Sequence, residues 1–167
     1  TCTGWEQGVP LAYTRDLAEY WRCEYDWRRL EGELNARDQY LVDLEVDGKG
    51  HTIHFIHQRS PHADARPLLL THGWPGSVLE FFKVIDALVD PVAHGGSAGD
   101  AFHLVIPSLP GYGFSSKPAS TGTTVEHIAD LWDALMDTLG YDRYFAQGGD
   151  WGSVVTSAIG LRHRPRC

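Results

Sequence analysis

The chain has 167 residues, of which 43% are hydrophobic and 22% are charged, a composition typical of one soluble globular domain and not of a disordered or membrane-spanning chain. Its formal net charge of −8 argues against a nucleic-acid partner, because backbone phosphates repel an acidic surface. A small neutral ligand is compatible with that charge.

The cysteines and the N-terminal segment bear on the compartment. Cys2, Cys23 and Cys167 form no C-x-x-C pair, so the sequence predicts neither a disulfide framework nor a zinc site. No apolar segment has the length of a signal peptide or a membrane span. We therefore expect a cytoplasmic location, although the start at Thr1 leaves an upstream anchor or signal open.

The N-terminal arm is predicted to be helical over residues 14–35, because its apolar positions recur at three- and four-residue spacing. The arm is rich in aromatic residues. We expect Trp5, Trp21, Tyr25 and Trp27 to be core residues that pack the arm against the body of the protein. The alternative is that they line a ligand groove.

Residues 39–46 and 52–57 alternate between apolar and polar side chains around a glycine-containing turn, which predicts an antiparallel hairpin at a sheet edge. Three histidines in this region, His51, His54 and His57, raise the possibility of a metal site. Because His54 points to the opposite face of the strand from the other two, the three cannot converge on one ion. We therefore expect no metal and half-exposed histidines.

The remaining elements alternate between strands and helices. Strands are predicted at 68–71, 102–106 and 144–146, and helices at 77–89, at 123–139 and after residue 150. This alternation indicates an α/β fold with a mostly parallel sheet. Ligands of such sheets bind beyond the carboxyl ends of the strands.

The residues Gly148, Gly149, Asp150, Trp151 and Gly152 directly follow the last predicted strand and have the form of a nucleophile elbow, with Asp150 at the nucleophile position. Glycine suits this turn because strand and helix backbones pack closely there. A carboxylate nucleophile favours attack on an electrophilic sp³ carbon, giving an ester that water then hydrolyses. This chemistry indicates an epoxide or an alkyl halide. Taken alone, the residues also fit an ordinary turn with a solvated acid.

A second glycine-containing loop follows the first buried strand. In enzymes that carry their nucleophile on such an elbow, one oxyanion donor comes from a loop at this place and the other from the residue after the nucleophile. Here the donors would be the backbone N–H groups of Trp74 and Trp151, and both residues would contact substrate. Gly73 and Pro75 are predicted to shape the loop. His72 is predicted to hold it by hydrogen bonds and not to act as a base.

Together these motifs resemble the N-terminal half of the microsomal-type epoxide hydrolases, the branch that includes the juvenile-hormone epoxide hydrolases. The matching segments are HGWPGS at 72–77, PSLPGYGFS at 107–115 and GGDWGS at 148–153, with YW at 20–21, YDWR at 25–28, LN at 34–35 and IHFIH at 53–57 in the N-terminal region. The resemblance covers nearly all of residues 5–160.

The resemblance implies a partial α/β-hydrolase fold, with an N-terminal region at 1–66 formed by the helical arm and the edge hairpin, and the start of the hydrolase core at 67–167. It implies hydrolysis of a small hydrophobic epoxide to a vicinal diol through an ester on Asp150, as in detoxification and xenobiotic catabolism, without metal or cofactor. In this family the lid, the charge-relay acid and the base histidine follow the elbow helix. The chain therefore looks cut short before them, and we expect it to be inactive by itself.

Two other hypotheses remain. A haloalkane dehalogenase shares the Asp elbow, although Trp74 replaces the Asn typical of its oxyanion loop. A non-catalytic remnant could bind a partner through an unfinished sheet edge. His163 does not supply a base, because it would lie about 20 Å from Asp150 along a continuous helix, and the basic run 162–166 around it is predicted to be a solvated tail. The sequence does not specify the oligomeric state.

Overall fold

The structure is a computed structural model that describes residues 4–167, so Cys2 lies outside the described residues. The chain divides into two compact units, residues 1–36 and 37–167. The first unit contains helices α1, Leu11–Cys23, and α2, Trp27–Asn35. The prediction of a single helix over residues 14–35 is therefore wrong, because the helical segment is divided in two. It is interrupted before Asp26, whose carboxylate accepts the backbone N–H of Arg28 and starts a new helix.

The aromatic side chains of the first unit are exposed. Trp21 is 71% exposed and Trp5 is 62% exposed, and neither helix has a buried residue. Tyr25 and Trp27 are also exposed. Within the described part of the first unit these four side chains therefore form no core, because two short helices contain too little chain to enclose an apolar interior of their own. Packing of the arm against the body of the protein stays a prediction.

The second unit is built on a five-stranded mixed sheet with the order β1-β2-β4-β3-β5. Its strands are β1, Gln39–Val46; β2, Lys49–Gln58; β3, Arg66–Thr71; β4, Phe102–Pro107; and β5, Phe145–Gly148. Strand β2 pairs antiparallel with β1 and β4, whereas β3 pairs parallel with β4 and β5. The predicted α/β class, with an antiparallel hairpin at one edge, is confirmed, and β5 forms the other edge.

Three helices connect and cover these strands. They are α3, Phe82–Val89, which follows a 3₁₀ turn at Val78–Phe81; α4, Val125–Thr138; and α5, Trp151–Arg162. Helix α4 is capped by Thr124, whose hydroxyl accepts the His127 N–H at 3.3 Å, so the helix begins two residues after the predicted start at 123. The segment between α3 and β4 contains two further 3₁₀ turns, Pro91–His94 and Ala98–Asp100. In the part of the chain that the structure describes, no helix combines the length and apolarity needed to cross a bilayer.

The main core lies between one face of the sheet and helices α4 and α5. Leu131, Trp132 and Leu135 of α4 are fully buried against Leu69 and Val105 of the central strands. These residues form an apolar stripe along α4, which is its core-facing side. Packing of this stripe fixes α4 beside the carboxyl ends of β3 and β4, where the site forms.

The three hairpin histidines are buried, so the prediction that they are half exposed is wrong. His51, His54 and His57 are 5%, 3% and 7% exposed. Each ring makes a hydrogen bond that offsets its burial: His51 with His127, His54 with Ser108 and His57 with Tyr141. Across residues 4–167, no group of three or more potential metal-ligating side chains is found.

The basic residues at the end of α5 and just after it are paired and do not form a solvated tail. Arg162 and His163 contact the Asp130 carboxylate at 2.7 and 2.8 Å, and Arg166 contacts Asp137 at 3.0 Å. The carbonyl of Arg166 also accepts the backbone N–H of Tyr144 at 2.8 Å. Carboxylates of α4 thus hold this basic segment beside the start of β5.

Burial of the histidines predicts a loss of stability in mild acid. Burial, with smaller contributions from Arg59 and His103, lowers the pKa of His57 to about 4. In the unfolded chain this ring takes up a proton near pH 6.5. The contribution of neutral His57 to the free energy of unfolding is therefore fully present above that pH and is lost as the pH falls toward 4. We expect His57 alone to remove about 2 kcal/mol of unfolding free energy between pH 7 and pH 5.

Urea unfolding at the two pH values measures this loss. The His57→Gln variant keeps a polar nitrogen near Tyr141 but gains no charge, so its unfolding free energy should depend less on pH. An unchanged pH dependence in this variant would contradict the assignment. Paired carboxylates such as Asp86, whose pKa is lowered by Arg37, lose their contribution only below about pH 4 and do not affect this window.

Candidate active site

The turn between β5 and α5 holds Asp150 in a strained conformation. Asp150 has φ 50° and ψ −124°, a positive φ that side chains other than glycine rarely adopt. Its carbonyl accepts the Ser153 N–H at 3.0 Å and the Ser153 hydroxyl at 2.7 Å. These bonds anchor the first turn of α5 and leave the Asp150 carboxylate at the carboxyl edge of the sheet.

Two of the three predicted elbow glycines are required by close backbone packing. A Cβ atom on Gly148 would overlap the backbone of Gly152, and one on Gly152 would overlap the carbonyl of Thr71. Gly149 differs, because a Cβ there would meet no atom within 4 Å. The tight approach of α5 to the end of β3 therefore depends on Gly148 and Gly152.

The loop after β3 brings a backbone donor to the carboxylate. The Trp74 N–H donates to Asp150 Oδ1 at 2.7 Å, across 76 residues of sequence. Gly73 permits this approach, because a Cβ atom at that position would overlap the Asp150 side chain. The peptide bond between Trp74 and Pro75 is cis. The structure thus brings together the two loops that the sequence singled out.

His72 lies beneath this loop and is fully buried. Its Nε2 accepts the Leu109 N–H at 3.1 Å, so the proton lies on Nδ1, which donates to the Gly73 carbonyl at 3.0 Å. Burial lowers the pKa of His72 and keeps the ring neutral. With both nitrogens engaged, His72 links the loop to the segment after β4.

Backbone N–H groups set the charge of the carboxylate. The Trp74 N–H, and after it the Trp151 N–H, lowers the pKa of Asp150 below its ordinary value. The group is therefore ionised at neutral pH. Trp74 and Trp151 are 66% and 53% exposed, so they lie at the rim of the site.

An apolar groove of about 250 Å³ begins beside the elbow. It is lined by side chains of the loop after β4 and of helices α4 and α5, among them Leu109, Tyr112, Ile128, Trp151 and Val155. Sequence reasoning missed the groove, because its walls come from three separate segments. Its apolar lining fits a hydrophobic substituent.

The structure places His163 away from Asp150. It follows the last residue of α5, and its ring contacts Asp130 at 2.8 Å and Asp133 at 3.4 Å. In the range 4–167, the hydrogen bonds of the histidines do not include one to the Asp150 carboxylate. The site as described therefore contains a carboxylate and backbone donors, without a histidine positioned on them.

Comparisons with known proteins identify relatives of both parts of the chain. Residues 1–81 match the family model described as epoxide hydrolase N terminus, and residues 66–167 match the one described as alpha/beta hydrolase fold. A Stigmatella aurantiaca protein whose name assigns it to the epoxide hydrolases is 57% identical over 159 residues, which are 95% of this chain and 35% of the relative. Epoxide hydrolase 1 of Oryctolagus cuniculus is 40% identical over 152 residues, covering 89% of this chain and 32% of that protein.

Solved structures give the same result. The Aspergillus niger epoxide hydrolase superposes with a TM-score of 0.81 at 35% identity, over 100% of this chain and 43% of that chain. The juvenile hormone epoxide hydrolase of Bombyx mori has a TM-score of 0.81 at 32% identity, over 98% of this chain and 42% of that chain. The chain thus spans about a third of the length of the curated relatives it matches.

Proposed function

The chain belongs to the epoxide hydrolase family of α/β hydrolases, and on that premise we propose that it opens epoxides by covalent catalysis, with Asp150 as the nucleophile. The observation that carries the proposal is the hydrogen bond of 2.7 Å between the Trp74 N–H and Asp150 Oδ1 at a strained elbow. This bond occupies one carboxylate oxygen, Oδ1, and leaves the other, Oδ2, as the attacking atom.

In the first step, Oδ2 of Asp150 attacks a ring carbon of the epoxide, and the bond between that carbon and the ring oxygen breaks. The product is a hydroxyalkyl ester of Asp150, and the ring oxygen leaves as an alkoxide that takes a proton from solvent water. Because the pKa of Asp150 is lowered, the nucleophile is already ionised throughout the neutral range. This step needs no base.

In the second step, water attacks the carbonyl carbon of the ester, and negative charge develops on Oδ1. The N–H groups of Trp74 and Trp151 stabilise this charge, and losing one such donor typically costs about 3 kcal/mol of transition-state stabilisation. Collapse of the intermediate releases the diol and regenerates the carboxylate. A base must remove a proton from the attacking water, and it must approach within about 3 Å of that proton or act through one water.

The substrate class follows from the groove beside the elbow. Its lining residues, among them Tyr112, Ile128 and Trp151, are mainly apolar, so they favour an uncharged epoxide with a hydrophobic substituent. The net charge of −8 also disfavours an anionic substrate. We propose a small hydrophobic epoxide as the ligand.

We expect the 167-residue chain to form the ester with an aryl-substituted terminal epoxide but not to turn over. Without a histidine positioned on the ester, alkylation stops after one equivalent. Intact mass spectrometry should show one added epoxide, peptide mapping should place it on Asp150, and the diol should remain below one equivalent.

Thiol alkylation is the competing reaction, since Cys23 and Cys167 are exposed. The experiment therefore uses a variant with all three cysteines replaced by serine. Hydroxylamine distinguishes the products, because it cleaves an ester and leaves a thioether intact. Diol formation over many turnovers by the purified chain, or an adduct that persists in Asp150→Asn, would contradict the proposal.

A further inference from the structure

A series of hydrogen bonds connects the hairpin to the candidate site. It begins in β1, where the Gln39 amide oxygen lies 3.0 Å from His54 Nε2 of β2. An amide oxygen only accepts, so the His54 proton is on Nε2 and Nδ1 is an acceptor. The Ser108 hydroxyl lies 2.9 Å from Nδ1 and is its donor. His54 and Ser108 are 3% and 1% exposed.

The next bonds lead from Ser108 to the loop that carries Trp74. The residue after Ser108, Leu109, donates its N–H to His72 Nε2 at 3.1 Å, and His72 Nδ1 donates to the Gly73 carbonyl at 3.0 Å. Trp74 follows and donates its N–H to Asp150. The series therefore includes residues contributed by β1, β2, the segment after β4 and the loop after β3.

Ser108 is fixed at several atoms. Its backbone N–H donates to the His54 carbonyl at 2.8 Å, and its own carbonyl accepts the Ser115 hydroxyl at 2.7 Å. The Ser115 hydroxyl in turn accepts the His54 N–H at 3.0 Å. Because each of these groups is buried, breaking one bond leaves a polar atom without a partner, which the structure avoids only by shifting the backbone.

We propose that His54 and Ser108 are positioning residues, which place the Trp74 N–H against Asp150 through Leu109 and His72. Neither side chain contacts the carboxylate. The proposal deepens the proposed function, on which its catalytic meaning rests. If the Ser108 hydroxyl is lost, the segment at Leu109 shifts, His72 follows its hydrogen-bond donor, and the bond from Trp74 to Asp150 lengthens.

The test removes the bond from either side, in Ser108→Ala and in His54→Leu, and measures two properties of the free chain by NMR. The first is the pKa of the Asp150 carboxyl, which should rise toward its ordinary value as the Trp74 donor withdraws. The second is hydrogen exchange of the Trp74 amide, which should become about tenfold faster. Ser108→Ala decides the question if His54→Leu does not fold.

Tyr141→Phe is the matched control. It removes a hydrogen bond of 2.9 Å to His57, another buried histidine of β2, which is not part of the series that leads to Trp74. This variant should leave both properties of the site unchanged. The proposal is overturned if Ser108→Ala moves neither property, or if Tyr141→Phe moves them equally, since general loosening would then explain the effect.

Neither measurement depends on turnover. If Asp150 never forms an ester, the proposed function fails while the two NMR readouts keep their meaning. If the readouts fail and the ester forms, only the positioning role is lost.

Discussion

A Gly152→Ala substitution should destabilise the chain by about 4 kcal/mol or more, enough to leave little folded protein. The added Cβ would overlap the carbonyl oxygen of Thr71 and lie 2.9 Å from that of His72. Both contacts are with backbone atoms, so no rotamer change relieves them. Helix α5 would have to move away from the end of β3, which separates the elbow from the loop that carries Trp74.

Gly160→Ala is the control, because it makes the same change in the same helix. A Cβ atom at Gly160 would meet nothing within 4 Å, and alanine in a helix interior is favoured by up to about 1 kcal/mol. Urea unfolding should therefore show a large loss for Gly152→Ala and no loss for Gly160→Ala. Equal midpoints for Gly152→Ala and the unsubstituted chain would mean that the elbow does not pack as described.

The second large effect concerns the chemistry, and it is best measured in a protein that turns over. We consider a fusion in which this chain replaces the matching portion of the Stigmatella aurantiaca relative, with which it is 57% identical. In this fusion, Asp150→Asn should lower kcat/KM for a hydrophobic epoxide by about 10⁴-fold or more, because an amide oxygen is a poor nucleophile.

Asparagine is the appropriate replacement at this position. It tolerates the φ of 50° found at residue 150 better than alanine does, and its amide oxygen can still accept the Trp74 N–H. An unchanged urea midpoint would then show that the loss is chemical and not structural. A reduction of less than about tenfold would contradict the assignment of Asp150 as nucleophile.

The approach of Trp74 to Asp150 was predictable from the sequence, because the carboxyl ends of parallel strands meet at one edge of a sheet. The loop that carries Trp74 and the elbow that carries Asp150 each follow an apolar strand. The glycines in them indicate where two backbone segments must approach each other closely. Sequence patterns also predicted helix α4 and the edge hairpin. These features depend on local pattern and on general rules of topology.

Features set by distant pairings were not predictable. His51 contacts His127 across 76 residues, and His54 contacts Ser108 across 54. Strand periodicity assigns a histidine to a face, but whether that face is buried depends on the segments that cover it. The exposure of Trp21 was not predictable either, because helical periodicity predicts an apolar stripe without specifying what packs on it.

The charged contacts after α5 also depend on tertiary structure. The sequence shows a basic run that includes Arg162, His163 and Arg166. The carboxylates that pair with these residues are spaced along α4. Only the packing of α4 against α5 reveals the pairing. From composition alone, this segment was therefore predicted to be a solvated tail.

A single turnover in ¹⁸O water, with the fusion in excess over the epoxide, tests the central claim most directly. If Oδ2 of Asp150 attacks the ring, the oxygen added to the first diol comes from the carboxylate, and solvent oxygen enters Asp150 when the ester is cleaved. The account predicts an unlabelled diol and ¹⁸O in the peptide that contains Asp150. A labelled diol with an unlabelled Asp150 peptide would contradict it, because water would then have attacked the epoxide directly.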